Sequence, residues 1–167
     1  MTRSQFARYV ESSQLAFRRF LTALCCGDSQ LADDIAQEAY LKAYMACDKL
    51  EDDSKFNSWL YRIGYNSFIS NRRTARFNVG YDEAYSLPSA DFSDEAFRYQ
   101  ELHAALERLP NKERTSVLLY YMEGYSVKEI TEVTGASQEA VRTHLSRGRN
   151  HLRSLLSKNE NEYGQGY

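Results

Sequence analysis

The sequence predicts an all-α protein built as two small helical domains joined by an acidic linker. Three observations predict it. Two prolines and eight glycines in 167 residues leave little of the turn chemistry that an all-β chain needs. Apolar residues recur at spacings of three, four and seven along most of the chain. Charge is unevenly spread: residues 1–76 carry 11 basic and 9 acidic side chains, residues 77–101 carry 1 and 6, and residues 102–167 carry 9 and 8. Two near-neutral blocks, at +2 and +1, therefore flank a segment at −5. The implied division is 1–76, a linker at 77–93, and 94–167.

The whole chain is 43% hydrophobic, enough for a packed core, and its net charge of −2 is not that of a protein that coats DNA. Cys25, Cys26 and Cys47 are odd in number and lack metal-ligand spacing, so core filling is the expectation and a reducing cytoplasm fits. No stretch approaches the roughly 20 apolar residues of a membrane span, and the opening residues lack a long apolar signal segment. His103, His144 and His151 form no convincing ligand set, and no nucleophile motif or phosphate-binding loop appears. No catalytic residue, metal or cofactor is therefore expected.

The first helix is predicted over residues 4–24, with Phe6, Val10, Phe17, Phe20, Leu21 and Leu24 on its apolar face. Gly27 breaks it. Asp28 or Ser29 caps a second helix, whose Leu31, Ile35, Ala39 and Ala43 share a face. Asp33, Asp34, Gln37 and Glu38 make an acidic-polar surface near its start. That surface suits a basic partner helix, or it compensates the helix dipole; physics alone favours the second. Residues 51–55 read as a loop. A third helix begins at Ser54 or Phe56, with Phe56, Trp59, Leu60 and Ile63 apolar. Asn66 and Ser67 interrupt that stripe, either as satisfied core groups or as ligand contacts. Tyr61, Tyr65 and Phe68 lie among Arg62, Arg72, Arg73 and Arg76. This mixture suits unpaired bases stacked on rings with their phosphates neutralised, or core aromatics beside a basic helix end.

Past the linker, a helix resumes at Ser93 or Asp94, with Phe97, Leu102, Leu106 and Leu109 on one side, and ends before Pro110. The next helix carries Val117, Leu118, Tyr121 and Met122 as apolar positions and stops at Gly124. Residues 125–156 then read as a helix-turn-helix. Ser126 and Glu129 are spaced as a capping box, Val127, Ile130 and Val133 give a short stripe, and Gly135 makes the exit. Ser137 caps the second helix, which buries Val141 and Leu145 and carries Arg142, Arg147, Arg149 and Arg153. The first turns of such a helix meet base edges, and arginines further along meet phosphates. A solvated basic face is the plainer alternative. The last ten residues read as a frayed polar tail.

With these segments in this order, the chain resembles the small extracytoplasmic-function group of bacterial sigma-70 factors. DDIAQEAYLKAY resembles the polymerase-binding helix of sigma region 2. FNSWLYRIGYNSFISNRR resembles its promoter-melting, −10-reading segment, and the stretch from LERLPNKER to LSRGRNHL resembles sigma region 4. The resemblance implies an alternative sigma factor that binds core RNA polymerase and directs initiation from specific promoters. Asp33, Asp34, Gln37 and Glu38 would then contact polymerase. Asn66, Arg62, Asn71, Arg72, Arg73 and Arg76 would serve the −10 strand, with Phe56 and Trp59 supporting them. Gln138, Glu139, Arg142, Thr143, Ser146, Arg147 and Arg149 would serve the −35 duplex. An anti-sigma partner is also implied, along with a cytoplasmic location and no membrane contact except through that partner. Two departures stand out. Leu50 replaces an aromatic common in the family, and Gly148 replaces the commoner alanine, which predicts a looser midpoint in the recognition helix. The rival readings are a sigma-like decoy for an anti-sigma factor and a conventional helix-turn-helix regulator. The arginines of the recognition helix count against the first, and the short front block leaves little room for the ligand pocket the second needs.

Overall fold

A computed structural model describes residues 1–77 and 94–163, with side chains over 1–72 and 99–158. Helix α1 spans Arg3–Leu24, α2 Ser29–Ala46 and α3 Phe56–Phe77. Helix α4 spans Asp94–Glu107, α5 Asn111–Tyr121, α6 Val127–Thr134 and α7 Gln138–Tyr163. No strand occurs among the described residues. The acidity of the linker, the side chain of Phe97 and the last four residues lie outside what is described.

Local chemistry explains most of the boundaries. Thr2 and Gln5 close a reciprocal capping box at the start of α1. At its end Cys26 takes φ +55°, a left-handed value uncommon outside glycine, and Gly27 follows at +90°. Asp28 then accepts from the Leu31 amide and starts α2. Residues 51–55 contain a 3₁₀ turn, Asp53–Lys55, where the sequence suggested only loop. Helix α7 runs on to Tyr163, so six of the ten residues of the expected frayed tail are helical.

Helices α1, α2 and α3 pack around Phe17, Phe20, Leu21, Leu24, Ile35, Phe56, Leu60 and Phe68, all essentially inaccessible. Tyr61 and Tyr65 are buried with them. The aromatics between the arginines of α3 are thus core, and stacking of bases on Tyr61, Tyr65 or Phe68 is ruled out by burial. The close approach of α1 to α3 depends on Gly64, where an added Cβ would lie 2.7 Å from Phe17 Cζ. Cys25 and Cys47 are buried and Cys26 is half-buried, all as free thiols. Burial pushes the Cys25 thiol up to about 12, with Asp28 adding to the shift.

Helices α4 to α7 form a second group, and here the expected apolar faces need correction. Leu106 and Leu109 are buried, but Leu102 is exposed, as are Tyr121 and Met122 at the end of α5. Helix α5 instead buries its first turns, including Glu113, Arg114, Thr115 and Ser116. The reason is that α5 is surrounded there by α1 and α7, and Glu113, Arg114 and Thr115 each find a partner. Glu113 meets His151 Nδ1 at 2.7 Å, and Thr115 donates to the Asn111 carbonyl at 2.7 Å. Arg114 donates to the carbonyls of Leu106, Leu24, Glu107 and Leu109 at 2.7, 3.0, 3.1 and 3.1 Å. One guanidinium therefore satisfies the ends of both α1 and α4, where carbonyls lack intrahelical partners. Gly148 is buried, and a Cβ there would lie 2.6 Å from Val117 Cγ2. It lets α7 approach α5 closely within an unbroken helix, which corrects the expectation of a looser midpoint.

The two groups share one core. Helix α6 lies against α3 more extensively than against α5 or α7, and α1 touches both α4 and α5.

Candidate nucleic-acid and polymerase interface

The helix-turn-helix forms as its residues dictate. Ser126 accepts from the Glu129 amide at 3.1 Å, and the Glu129 carboxylate accepts from the Ser126 hydroxyl at 3.2 Å rather than from the backbone of a full capping box. Ile130 and Val133 are buried, and Gly135 leaves α6 at φ +74°. Ser137 accepts from the Ala140 amide at 3.1 Å and so caps α7. Val141, Leu145 and Gly148 face inward. Gln138, Glu139, Arg142, Thr143, Ser146, Arg147 and Arg149 all face solvent. Seven candidate residues thus occupy one open surface of one helix. Gln138 accepts from Arg142 at 3.4 Å, and Arg149 donates to the exposed Tyr121 hydroxyl at 3.1 Å. The surface is polar, basic along its length and unobstructed by its own lattice of contacts, as a helix entering a major groove requires.

A cleft of about 760 Å³ lies beside it, lined by Lys112, His144, Arg147 and Arg72 among others. Lys112 was not singled out from sequence, and His144 was weighed there only as a metal ligand. Lys112 follows Pro110 at the start of α5 and His144 sits between two −35 candidates; only the packing of α5 on α7 places them together. Burial lowers the His144 pKa, and Lys112 adds to the effect.

The −10 candidates are less uniform. Asn66, Arg62 and Asn71 are exposed on α3. Ser67, next to Asn66, is buried and donates to Glu38 at 3.3 Å, which resolves it as a core group with a partner. Arg72 is half-buried over the Phe68 ring at 5.4 Å, and its Nε has no protein partner. Arg62 donates to the Glu132 carbonyl of α6 at 3.4 Å. Arg73 and Arg76 belong to α3, but their side chains lie outside the described residues. Phe56 is buried in the core, and the half-buried Trp59 packs against it with its ring 6.1 Å away.

On α2, Asp34, Gln37 and Glu38 are exposed, and Asp33 is half-buried in an ion pair with Arg18 at 2.8 Å. Glu38 also pairs with Lys42 one turn on. Asp33 and Gln37 border a groove of about 270 Å³ whose far wall carries Leu15, an apolar side chain 73% exposed. An acidic ridge thus lies beside an exposed leucine.

A helix-turn-helix whose second helix turns an arginine-bearing face to solvent has the form of a DNA-binding unit. The family models agree with that class. The model described as Sigma-70 region 2 matches residues 9–77, and that described as Sigma-70, region 4 matches residues 99–152. The chain is 33% identical over 145 residues to the ECF RNA polymerase sigma factor SigW of Bacillus subtilis, covering 78% of each chain. It is 34% identical to a probable RNA polymerase sigma factor, RfaY, of Xanthomonas campestris, covering 83% of this chain but 37% of that longer protein. Among solved structures, the sigma factor RpoE of Bartonella quintana, in complex with the anti-sigma factor NepR, matches with a TM-score of 0.78. The identity there is 25%, and the match covers 91% of this chain and 96% of that one. The chain belongs to the sigma-70 family, in its extracytoplasmic-function group: it is an alternative sigma factor, acting in transcription initiation with core RNA polymerase and promoter DNA.

Proposed function

We propose that the two functions are divided between residues 1–76 and 94–167, joined by a linker at 77–93. Asp33, Asp34, Gln37 and Glu38 dock on core polymerase. The exposed face of α7 reads the −35 duplex, with Gln138, Glu139, Arg142, Thr143 and Ser146 toward base edges and Arg147 and Arg149 toward the backbone. Asn66 and Arg62 meet a base extruded from the −10 strand, and Asn71, Arg72, Arg73 and Arg76 neutralise its phosphates. Extruding a base costs a few kcal/mol, which contacts on α3 must offset. The buried aromatics of α3 support that surface from beneath without touching DNA. The single observation that carries the reading is the all-exposed candidate face of α7 opposite Val141, Leu145 and Gly148.

The protein performs no chemistry of its own in this reading. It acts in the cytoplasm, and no described helix is long and apolar enough to cross a membrane. An anti-sigma factor holds it in reserve, as NepR partners the Bartonella protein.

Run-off transcription with core polymerase, on promoter fragments selected by the protein, tests this. Wild type should start specific transcripts. Arg147→Ala should weaken initiation about equally across −35 sequences and reduce the salt dependence of binding, as loss of a phosphate contact does. Asn66→Ala should leave duplex −35 binding intact and lower open-complex formation. Binding to polymerase without specific initiation would favour a decoy; binding to duplex DNA with no response to polymerase would favour a conventional regulator.

A further inference from the structure

The sequence sets Tyr121 among the apolar positions of α5, yet it lies at the helix end, 55% exposed, beside Tyr120 at 41%. The two rings meet edge to face, with centroids 5.0 Å apart and planes at 74°, so each braces the other at the surface. Burial does not account for the place of either ring. The polar end of Tyr121 does have a partner. Its hydroxyl accepts from Arg149 Nη1 of α7 at 3.1 Å.

Gln138, Arg142, Ser146 and Arg149 follow one another along α7 at spacings of four, four and three, which sets them in a line down its exposed side. Gln138 and Arg142 are joined through their side chains at one end of this line. Tyr121 is attached at the Arg149 end and carries the exposed surface off α7 onto α5. A helix about 10–12 Å across fills a major groove about 12 Å wide, so a side chain offered from a neighbouring helix meets the phosphate edge of the groove rather than its bases.

A phenol has one O–H to donate and two lone pairs to accept with. The contact with Arg149 occupies a lone pair and leaves the O–H for an acceptor. Accepting from a cation polarises that O–H toward donation. A guanidinium already held in one place also loses less freedom when it meets an anion.

We propose that Tyr121 and Arg149 form a phosphate clamp on one strand of the −35 duplex, in which the Tyr121 hydroxyl donates to a phosphate oxygen and holds Arg149 in position to pair with the same group. The clamp rests on the reading of α7 given above and adds to it a residue of α5. Its ligand is a backbone phosphodiester, so it contributes affinity and register and reads no base.

The test measures binding of duplex promoter fragments by the full chain assembled with core polymerase. The fragments differ only in their −35 sequence, and the variants are Tyr121→Phe, Arg149→Ala, the two combined, and Tyr120→Phe. Tyr121→Phe removes only a hydroxyl from an exposed position, so its thermal melt should match wild type. Its affinity should fall about two- to tenfold, by the same factor on every −35 sequence. Arg149→Ala should weaken binding equally across those sequences and reduce the slope of log affinity against log salt by about 0.9, as expected for one phosphate. In the combined variant the loss should be smaller than the product of the two single losses, because each group acts through the other. Tyr120→Phe keeps the bracing ring and should bind as wild type.

Wild-type affinity in Tyr121→Phe, beside a loss in Arg149→Ala, overturns the clamp and leaves the reading of α7 in place. Losses that simply multiply would reveal two independent contacts, and a loss confined to some −35 sequences would reveal a base contact; either overturns the clamp. So does an equal loss in Tyr120→Phe. Unchanged binding in every variant, Arg149→Ala included, sinks the clamp together with the phosphate role of Arg149.

Discussion

Arg114 shows how much one side chain can hold. It is almost fully buried, yet every hydrogen bond it makes goes to a backbone carbonyl, and those carbonyls come from the ends of two helices and the turn between α4 and α5. Desolvation lowers its pKa, but a guanidinium starts so high that it stays charged. A lysine cannot present a planar fork to four acceptors, so Arg114→Lys leaves buried carbonyls unpaired. Leaving such a group unsatisfied costs about 1–3 kcal/mol. Arg114→Lys is therefore expected to destabilise the protein by about 2–4 kcal/mol, read as a fall in the urea midpoint with an unchanged slope. A change below about 0.5 kcal/mol would show that the carbonyls find water instead. Nothing in the sequence singles out Arg114. Its role depends on carbonyls far away in the chain, which no local pattern records.

Among the elements, α7 is the clearest from sequence and α5 the least clear. Helix α7 alternates buried and exposed positions at helical spacing, so Val141, Leu145 and the seven candidate residues separate by periodicity alone. Helix α5 is enclosed by neighbours at its start, and Thr115 and Ser116 are buried while Tyr121 and Met122 are not. Hydrophobicity found Val117 and Leu118, which are buried, but not the enclosed polar start or the exposed end of the helix, because enclosure as well as composition decides burial there. The α5–α7 contact makes its own prediction at Gly148. Alanine gains about 1 kcal/mol of helix propensity over glycine, but its Cβ must displace Val117. Overpacking of this kind costs about 1–3 kcal/mol. Gly148→Ala is expected to lower stability by up to about 2 kcal/mol in thermal melts, and Val117→Ala in the same chain should recover part of the loss. A more stable Gly148→Ala protein would show that the two helices part easily.

For the molecule as a whole, the junction of its two groups also governs pH response. Glu123 is half-buried there, and burial raises its pKa, with the Tyr61 hydrogen bond and Arg19 opposing. The Tyr61 and Tyr125 phenols, raised chiefly by burial, stay neutral through this range. A carboxyl whose pKa is raised in the folded form binds its proton more tightly there. Stability from this group is therefore greatest at low pH and falls as pH rises from the unfolded value through the raised one. At pH 7 the ionised carboxylate is a burden that a neutral amide lacks. Glu123→Gln should melt higher than wild type at pH 7, and the gap should close as pH falls toward 5. A gap that is constant with pH would mean that Glu123 is solvated in the folded protein.

The sequence by itself determined the helical class, the caps at Asp28, Ser126 and Ser137, the turn at Gly135 and the open face of α7. These follow from interactions a few residues apart, so they are written in local spacing. It also left the right alternatives open: Asn66 exposed and Ser67 satisfied, Tyr61 and Tyr65 either stacking platforms or core. Only the tertiary structure decided between them, since burial depends on what packs above a helix. The same holds for Gly148, for the carbonyls gathered by Arg114, and for α6 lying on α3. Each of these is a meeting of segments distant in the chain, and no residue in such a meeting carries a mark of its partner.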